Sequence, residues 1–507
     1  MKFSLHATLA AAALALVSPG INAQEPRRAS PDAVQDAQTP RSTERKRIEQ
    51  ELSEHDKSGV FMAAHAVPES SAFKEQPDEG EARGFDFYRD PLNSKRPMEN
   101  PADIEKADRA AKDKIMAAQR DLLEKRYNLT PKLDHAVTMS RGKPLAVGPT
   151  ARLAKGATWE SLAKMAPEDM KKEGVFPYPP LPHPKQAPGG QVFPQVQIEM
   201  FPRLQRFDVD FDLPEIFLPE FPPAIFLQSR PELGDVSRGE VVSINNYYRL
   251  FKDILTPVQL DGLRMLLTPF PQEEFNPTDD RKSPQPSLGV ACLDCHVNGH
   301  TTGQFHLNPD GRPQQRRMRL DTVSLRGLFN QQVHGSKRSL RSVEDFTEFE
   351  QRTAYFNGDM IHAFKKGANI LDRVQVSHMA QMQNMFDFPP APKLDPMTAR
   401  LDRRNATQSE VRGEELFFGK AGCANCHTPP TYMDQQYHDL HLERFLADAP
   451  DGPIKTFTLR GIKESPPYLH DGRCLTLEDA VEFFNLVFEL RLTQDEKADL
   501  VAFMRVL

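Results

Sequence analysis

Two short segments carry the same chemistry. Cys292-Leu293-Asp294-Cys295-His296 and Cys423-Ala424-Asn425-Cys426-His427 both spell C-x-x-C-H, and together they use four of the five cysteines in 507 residues. With 5 Cys and 15 His, chance supplies about 0.001 such motifs per chain. Closely spaced thiols could form disulfides or bind zinc. A disulfide between cysteines three apart closes a tiny loop and removes little entropy from the unfolded chain. A four-cysteine zinc site is open to two separated pairs. Neither arrangement gives the following histidine a task, whereas c-type haem attachment uses all three residues: two thioether bonds to the ring and an imidazole ligating iron from below. The spacing therefore predicts two covalently bound haems c, attached at Cys292, Cys295, Cys423 and Cys426, with His296 and His427 as proximal iron ligands.

The rest of the chain must export, house and feed these sites. Its first residues have Lys2, an apolar run over residues 7–17, Pro19-Gly20 and then Ala23 before Gln24. That pattern predicts a secretory signal peptide over residues 1–23. The run is shorter than the roughly 20 residues a membrane helix needs, and no later segment is long enough, so the expectation is no membrane span and a periplasmic location. The net charge is -7, from 64 Lys+Arg against 71 Asp+Glu. With no basic block to follow a phosphate backbone, nucleic acid is not an expected partner.

Residues 24–239 form a proline-rich, charged extension without cysteine. Within it Ile104, Ala107, Ala111, Ile115, Ala118 and Leu122 recur at helical spacing, predicting a helix over about 103–127. FPYPPLPHPKQAPGG at 176–190 reads as a polyproline-like linker, and FDVDFDL at 207–213 as a strand. No chemistry shows in this part, which reads as a wrapping extension or docking arm. From residue 240 the pattern turns helical and repeats: SLRGLF…SVEDFTEF at 324–349 parallels TLRGIK…TLEDAVEFF at 458–484. Ser342 with Asp345, Thr476 with Asp479 and Thr493 with Glu496 have the spacing of helix N-caps. The fold class expected is mainly α, with two tandem cytochrome c-like haem domains at 240–390 and 391–507. Met379, Met382 and Met385, at helical spacing, read as core, and Cys474 as a small buried hydrophobe.

GEELFFGKAGCANCHTPP, YMDQQYHDL and LRGIKESPPYLHDGRCLTLEDAVEFF, in a chain with two haem segments about 130 residues apart, resemble the bacterial di-haem cytochrome c peroxidase family, which includes the methylamine-utilisation di-haem enzyme. The resemblance covers roughly 240–507. It implies a peroxide-reacting first haem and an electron-transferring second one. The partners implied are hydrogen peroxide and a small electron-donor protein, cytochrome c or a cupredoxin, with a homodimer as candidate assembly. Two other readings stay open: oxidation of a protein or organic substrate, and a non-catalytic electron carrier.

The resemblance also assigns residues. The family's acid-base glutamate corresponds to Asp359, followed by Met360, with Glu350 and Glu348 as alternatives; its distal glutamine falls on Phe346 and its inter-haem tryptophan on His334. A removable ligand of the first iron would be His300 or His306. An interdomain calcium site falls on Asp321, Ser465 and Pro467, and His470 lies near the second haem as a propionate partner or supporting group. The sixth ligand of the second haem falls on Phe484, which has no lone pair to give, so a substitute is expected from Met433, His438 or His441. The two C-x-x-C-H motifs make one direct prediction: the denatured mature protein, made in a host competent for haem c attachment, carries the added mass of two haems. An unmodified chain in that mass spectrum contradicts it.

Overall fold

The computed structural model describes residues 101–181, 191–269, 290–306, 319–336, 340–350, 371–445 and 452–507; the signal segment and Asp359 lie outside them. Helices dominate. The longest, α1 (Pro101–Arg126), lies in the extension, and strands Lys132–Thr138 and Pro144–Val147 follow it as an antiparallel pair. Among the described residues, no helix is long and apolar enough to cross a membrane.

Six further helices frame the cysteine segments: α2 (Pro257–Leu266), α3 (Val343–Phe349), α4 (Arg373–Gln383), α5 (Gln408–Phe418), α6 (Leu477–Val487) and α7 (Gln494–Met504). Local sequence explains where they start. The side chains of Ser342, Thr476 and Thr493 accept hydrogen bonds from the amides of Asp345, Asp479 and Glu496, satisfying donors that a helix start leaves unpaired. Each cysteine segment is preceded by one helix and followed by a capped helix and a last helix. The first and last helices of each set cross closely. A Cβ at Gly262 of α2 would collide with the carbonyl of His378 on α4, and one at Gly413 of α5 with the carbonyl of Asp499 on α7. Only glycine permits backbones to approach that far. Met379, Met382 and Met385 are buried in the core around α2 and α4, and Cys474 is fully buried in the core around α5 to α7.

The extension differs from its sequence pattern in three places. In α1, Ala107 and Ala118 are exposed and the buried face turns to Asp108, Gln119 and Leu123. Alanine has little surface to hide, so the longer Ile115 and Met116 set the face by packing on the Val192, Val209 and Phe305 cluster. Residues 207–213 make no strand; their alternation serves ion pairs instead. Asp208 pairs with Arg206, Asp210 with Lys112 at 2.7 Å, and Asp212 with the buried Arg319 at 2.6 Å, while Phe211 packs on Phe305. The start of the proline-rich stretch is anchored, with Phe176 buried edge-on against Trp159 and Tyr178.

The extension also bonds into both later parts of the chain. Tyr127 donates its hydroxyl to the Arg473 carbonyl at 2.8 Å, and the Thr150 amide donates to Asp479 at 2.7 Å. Gln197 donates to the Asp294 carbonyl and Arg203 pairs with the Asp294 carboxylate, both beside the first cysteine segment. Everything meets at Glu464. Its carboxylate takes Arg326 of the first part at 2.6 Å and, on its other oxygen, the amide and hydroxyl of Ser140 from the extension. Its carbonyl takes His300 Nε2 at 2.9 Å, and Arg326 donates onward to the Ala224 carbonyl.

Removing one partner of a buried ion pair leaves the other charge unpaired, at a cost of about 3 kcal/mol or more. Glu464→Gln should therefore lower the stability of the haem-loaded protein by about that amount. Acid should weaken the same junction. Burial raises the Glu464 carboxyl, but Arg326 and Ser140 outweigh it and hold the group below its ordinary 4.5. Burial and Arg326 push His300 from 6.5 down to about 3. Both are depressed, so their stabilisation is complete above the unfolded values and is lost as pH falls, first for His300 below 6.5 and then for Glu464 below 4.5. The denaturation midpoint should drop on acidification, and His300→Asn should flatten the part between pH 6.5 and 4.5. A wild-type midpoint that stays level over that range would contradict the assignment.

Candidate functional site

One continuous cavity of about 890 Å³ is lined by both His296 and His427. The two imidazoles are held alike. His296 Nδ1 lies 2.9 Å from the Val323 carbonyl, and His427 Nδ1 lies 2.9 Å from the Tyr432 carbonyl. A carbonyl only accepts, so each Nδ1 carries the proton and each Nε2 keeps its lone pair. That is the tautomer and anchoring of a metal-ligating histidine. Burial pushes His427 below its ordinary value, favouring the neutral, ligating form.

All five cysteines are free thiols, and no cluster of metal-ligating atoms among the described residues contains two of them. The disulfide and zinc readings therefore find no support. Cys423 and Cys426 line the cavity beside His427 and fit covalent attachment as they stand. In the first segment His296 lines the cavity, while Cys292 packs among hydrophobics behind it and Cys295 is buried. Burial pushes the thiols of Cys292 and Cys423 up to about 12, so both are neutral.

The wall of the first half contains Val343, Phe346 and Glu350, with His334 and Gln383 nearby. Glu350 thus shares the cavity with His296. Glu348 is turned outward and pairs with Arg373 at 2.5 Å. His334 is buried, which pushes it from 6.5 to about 4 and keeps it neutral. His300, named as a removable iron ligand, has both ring nitrogens on protein groups: Nε2 donates to the Glu464 carbonyl, and Nδ1 meets the Ser324 hydroxyl at 2.8 Å. His306 lies in a two-residue strand paired with residues 191 and 320. Asp321, Ser465, Pro467 and His470 line the cavity together. The Asp321 amide donates to the His470 carbonyl at 2.8 Å, and the Asp321 Oδ1 and the Thr322 hydroxyl are buried without a hydrogen-bond partner. Oxygen atoms of this kind suit a hard cation.

The expected substitutes for Phe484 do not converge over the second half. Met433 is buried off the cavity wall, and the His441 side chain is 65% exposed beside Asp439. His438 lines the cavity, but its Nε2 is bonded to Asp434 at 2.5 Å and its ring clusters with Cys426. Phe484 itself lines the cavity.

Several site residues carry no sequence signal of their own. Lys455 is a buried lysine in the cavity wall that donates to Gln331, and burial lowers it from 10.5 to about 8. Arg326 was visible only as the middle of the repeated LRG triplet, and its partner Glu464 only as one of many acids.

Three relatives match part of the chain. They are cytochrome-c peroxidase IdrP1 of a Pseudomonas species, 28% identical over 157 residues, 21% of this chain and 41% of that protein; methylamine utilization protein MauG of Methylorubrum extorquens, 33% over 118 residues, 19% and 33%; and cytochrome c551 peroxidase of Nitrosomonas europaea, 30% over 121 residues, 21% and 36%. Part of the chain is thus similar to cytochrome c peroxidases and to MauG. The match spans about two fifths or less of each relative. No family profile matches the chain. Among solved structures, Kuenenia stuttgartiensis hydrazine synthase aligns with 53% of this chain and 94% of its own at 17% identity and TM-score 0.35. A MauG-like protein associated with microbial copper homeostasis aligns with 51% and 90% at 18% identity and TM-score 0.34.

The hydrogen bonds of His300 give a prediction of their own. His300→Gln should leave the haem absorption spectrum unchanged while lowering stability by about 1–3 kcal/mol, the usual cost of unpaired buried groups. A changed iron spin state would show that the ring had been a ligand.

Proposed function

We propose that this protein is a periplasmic di-haem peroxidase that reduces hydrogen peroxide to water with electrons from a small redox protein. The observation that carries this reading is the single cavity lined by two imidazoles, each anchored through Nδ1 on a backbone carbonyl, with the carboxylic acid of Glu350 in the same wall. Haem c bound at Cys292, Cys295 and His296, and at Cys423, Cys426 and His427, supplies the redox chemistry. The protein's residues do the rest. Peroxide reduction consumes two electrons and two protons per molecule, so a group must deliver protons beside the first haem. Glu350 is placed to do so, with Asp359 the candidate from outside the described residues. Phe346 and Phe349 make that wall apolar, which strengthens a proton transfer by excluding water.

His334, where the family's tryptophan falls, and Lys455 line the same cavity. A calcium ion at Asp321, Ser465 and Pro467 would satisfy the Asp321 and Thr322 oxygens.

Two results test the proposal. Glu350→Gln should lower peroxide turnover roughly 10²-fold, the scale of a positioned acid-base group, with haem spectra intact; if Asp359→Asn alone does so, the acid is Asp359, and if neither does, the peroxidase reading fails. Removing calcium with a chelator should lower the thermal midpoint of the loaded protein, and added calcium should restore it; an unmoved midpoint argues against the ion.

A further inference from the structure

The caps of α3 and α6 put two cavity walls in the same register. Eight residues beyond Ser342 stands Glu350, and eight beyond Thr476 stands Phe484. The first, fourth and eighth residues after the cap line the cavity in both copies: Val343, Phe346 and Glu350 in one, Leu477, Ala480 and Phe484 in the other. Where the first wall offers a carboxylic acid, the second offers a phenyl ring. Phe484 stacks on Phe488, 5.8 Å between centroids and 12° between planes, and Phe488 is 47% exposed. The pair therefore runs from the cavity to solvent.

We infer that Phe484 closes the second haem's distal face with hydrocarbon, leaves its iron without a sixth protein ligand, and makes it a site for small uncharged diatomic molecules such as carbon monoxide or nitric oxide. This rests on haem attachment at Cys423 and Cys426. Three other described lining groups with a lone pair, His438, Met504 and Tyr468, have contacts of their own. His438 sits against Cys426, at the edge where the ring is tethered, with Nε2 on Asp434. Met504 ends α7, which crosses α5, the helix that runs into Cys423. Tyr468 has Glu478 and Arg505 as its charged neighbours.

Pocket polarity and donors decide what a haem binds. Carbon monoxide and nitric oxide bind as neutral molecules and need no hydrogen bond. Peroxide and cyanide bind with loss of a proton, and a wall of Leu477, Ala480, Val481 and Phe484 offers neither acceptor for that proton nor donor for the anion. The duplicated wall thus divides the labour: proton chemistry at Glu350, none at Phe484.

The test is a carbon monoxide titration of the reduced, full-length loaded protein, with ferric spin states read by magnetic circular dichroism. Phe484→Met, which offers a thioether at that position, should bind one carbon monoxide fewer per chain than the parent and gain one low-spin His–Met haem. Phe484→Leu should match the parent. If Phe484→Met changes neither the stoichiometry nor the spin state, the inference is overturned. Should that variant not fold, His438→Ala and Met504→Leu carry the test: both keep the parent's spin states if the wall holds no ligand, and conversion of a low-spin haem to high-spin by either overturns it. Loss of peroxide turnover with these ligand results intact would count against the proposed function and leave this inference standing.

Discussion

The buried Arg326–Glu464 pair is the junction on which the rest of the structure depends. Two charges taken out of water repay that cost only when every remaining donor and acceptor is met. Here the partners come from all three parts of the chain: Ser140 and Ala224 from the extension, His300 from the first cysteine part, and Glu464 itself from the second. The His300 ring lies four residues beyond His296. Fixing it against Glu464 and Ser324 fixes the turn that presents the first imidazole, and the same contact sets the distance between the two ends of the cavity. The extension is therefore part of the scaffold that holds the proposed haems in register.

The helix starts were legible in the sequence because their cause is local. The Ser342, Thr476 and Thr493 caps each occupy a few consecutive residues, and each has a short-range physical cause. The junction was not legible, because Ser140 and Glu464 are 324 residues apart and no spacing rule connects them. The acids at 208, 210 and 212 misled for a related reason: alternation looks the same whether the partner is a β-ladder or a set of arginines and lysines. His300 carried a ligand's residue type without a ligand's environment, since both ring nitrogens are spent on protein groups. The substitutes expected for Phe484 are near one another in sequence, whereas Phe484 comes to the wall on a helix about forty residues later.

The duplication makes the asymmetry informative. Two helix sets with the same caps, the same glycine-mediated crossing and the same anchoring of Nδ1 on a carbonyl differ at the eighth position after the cap, Glu350 against Phe484. Equal scaffolds with unequal walls would let one cavity place the proposed proton delivery at one end and withhold it from the other. A small mobile donor would then have reason to meet the second end, where Phe488 reaches the surface.

The central claim is that two haems in one cavity act as a single two-electron unit toward peroxide. Mixing the fully reduced protein with hydrogen peroxide in a stopped-flow spectrometer tests this most directly. The account predicts that one peroxide per chain oxidises both haems, with both reduced-haem absorption bands lost within the same single-turnover event and no dependence on protein concentration. Oxidation of only one haem per chain, or a rate that rises with protein concentration because two chains must meet, would contradict it.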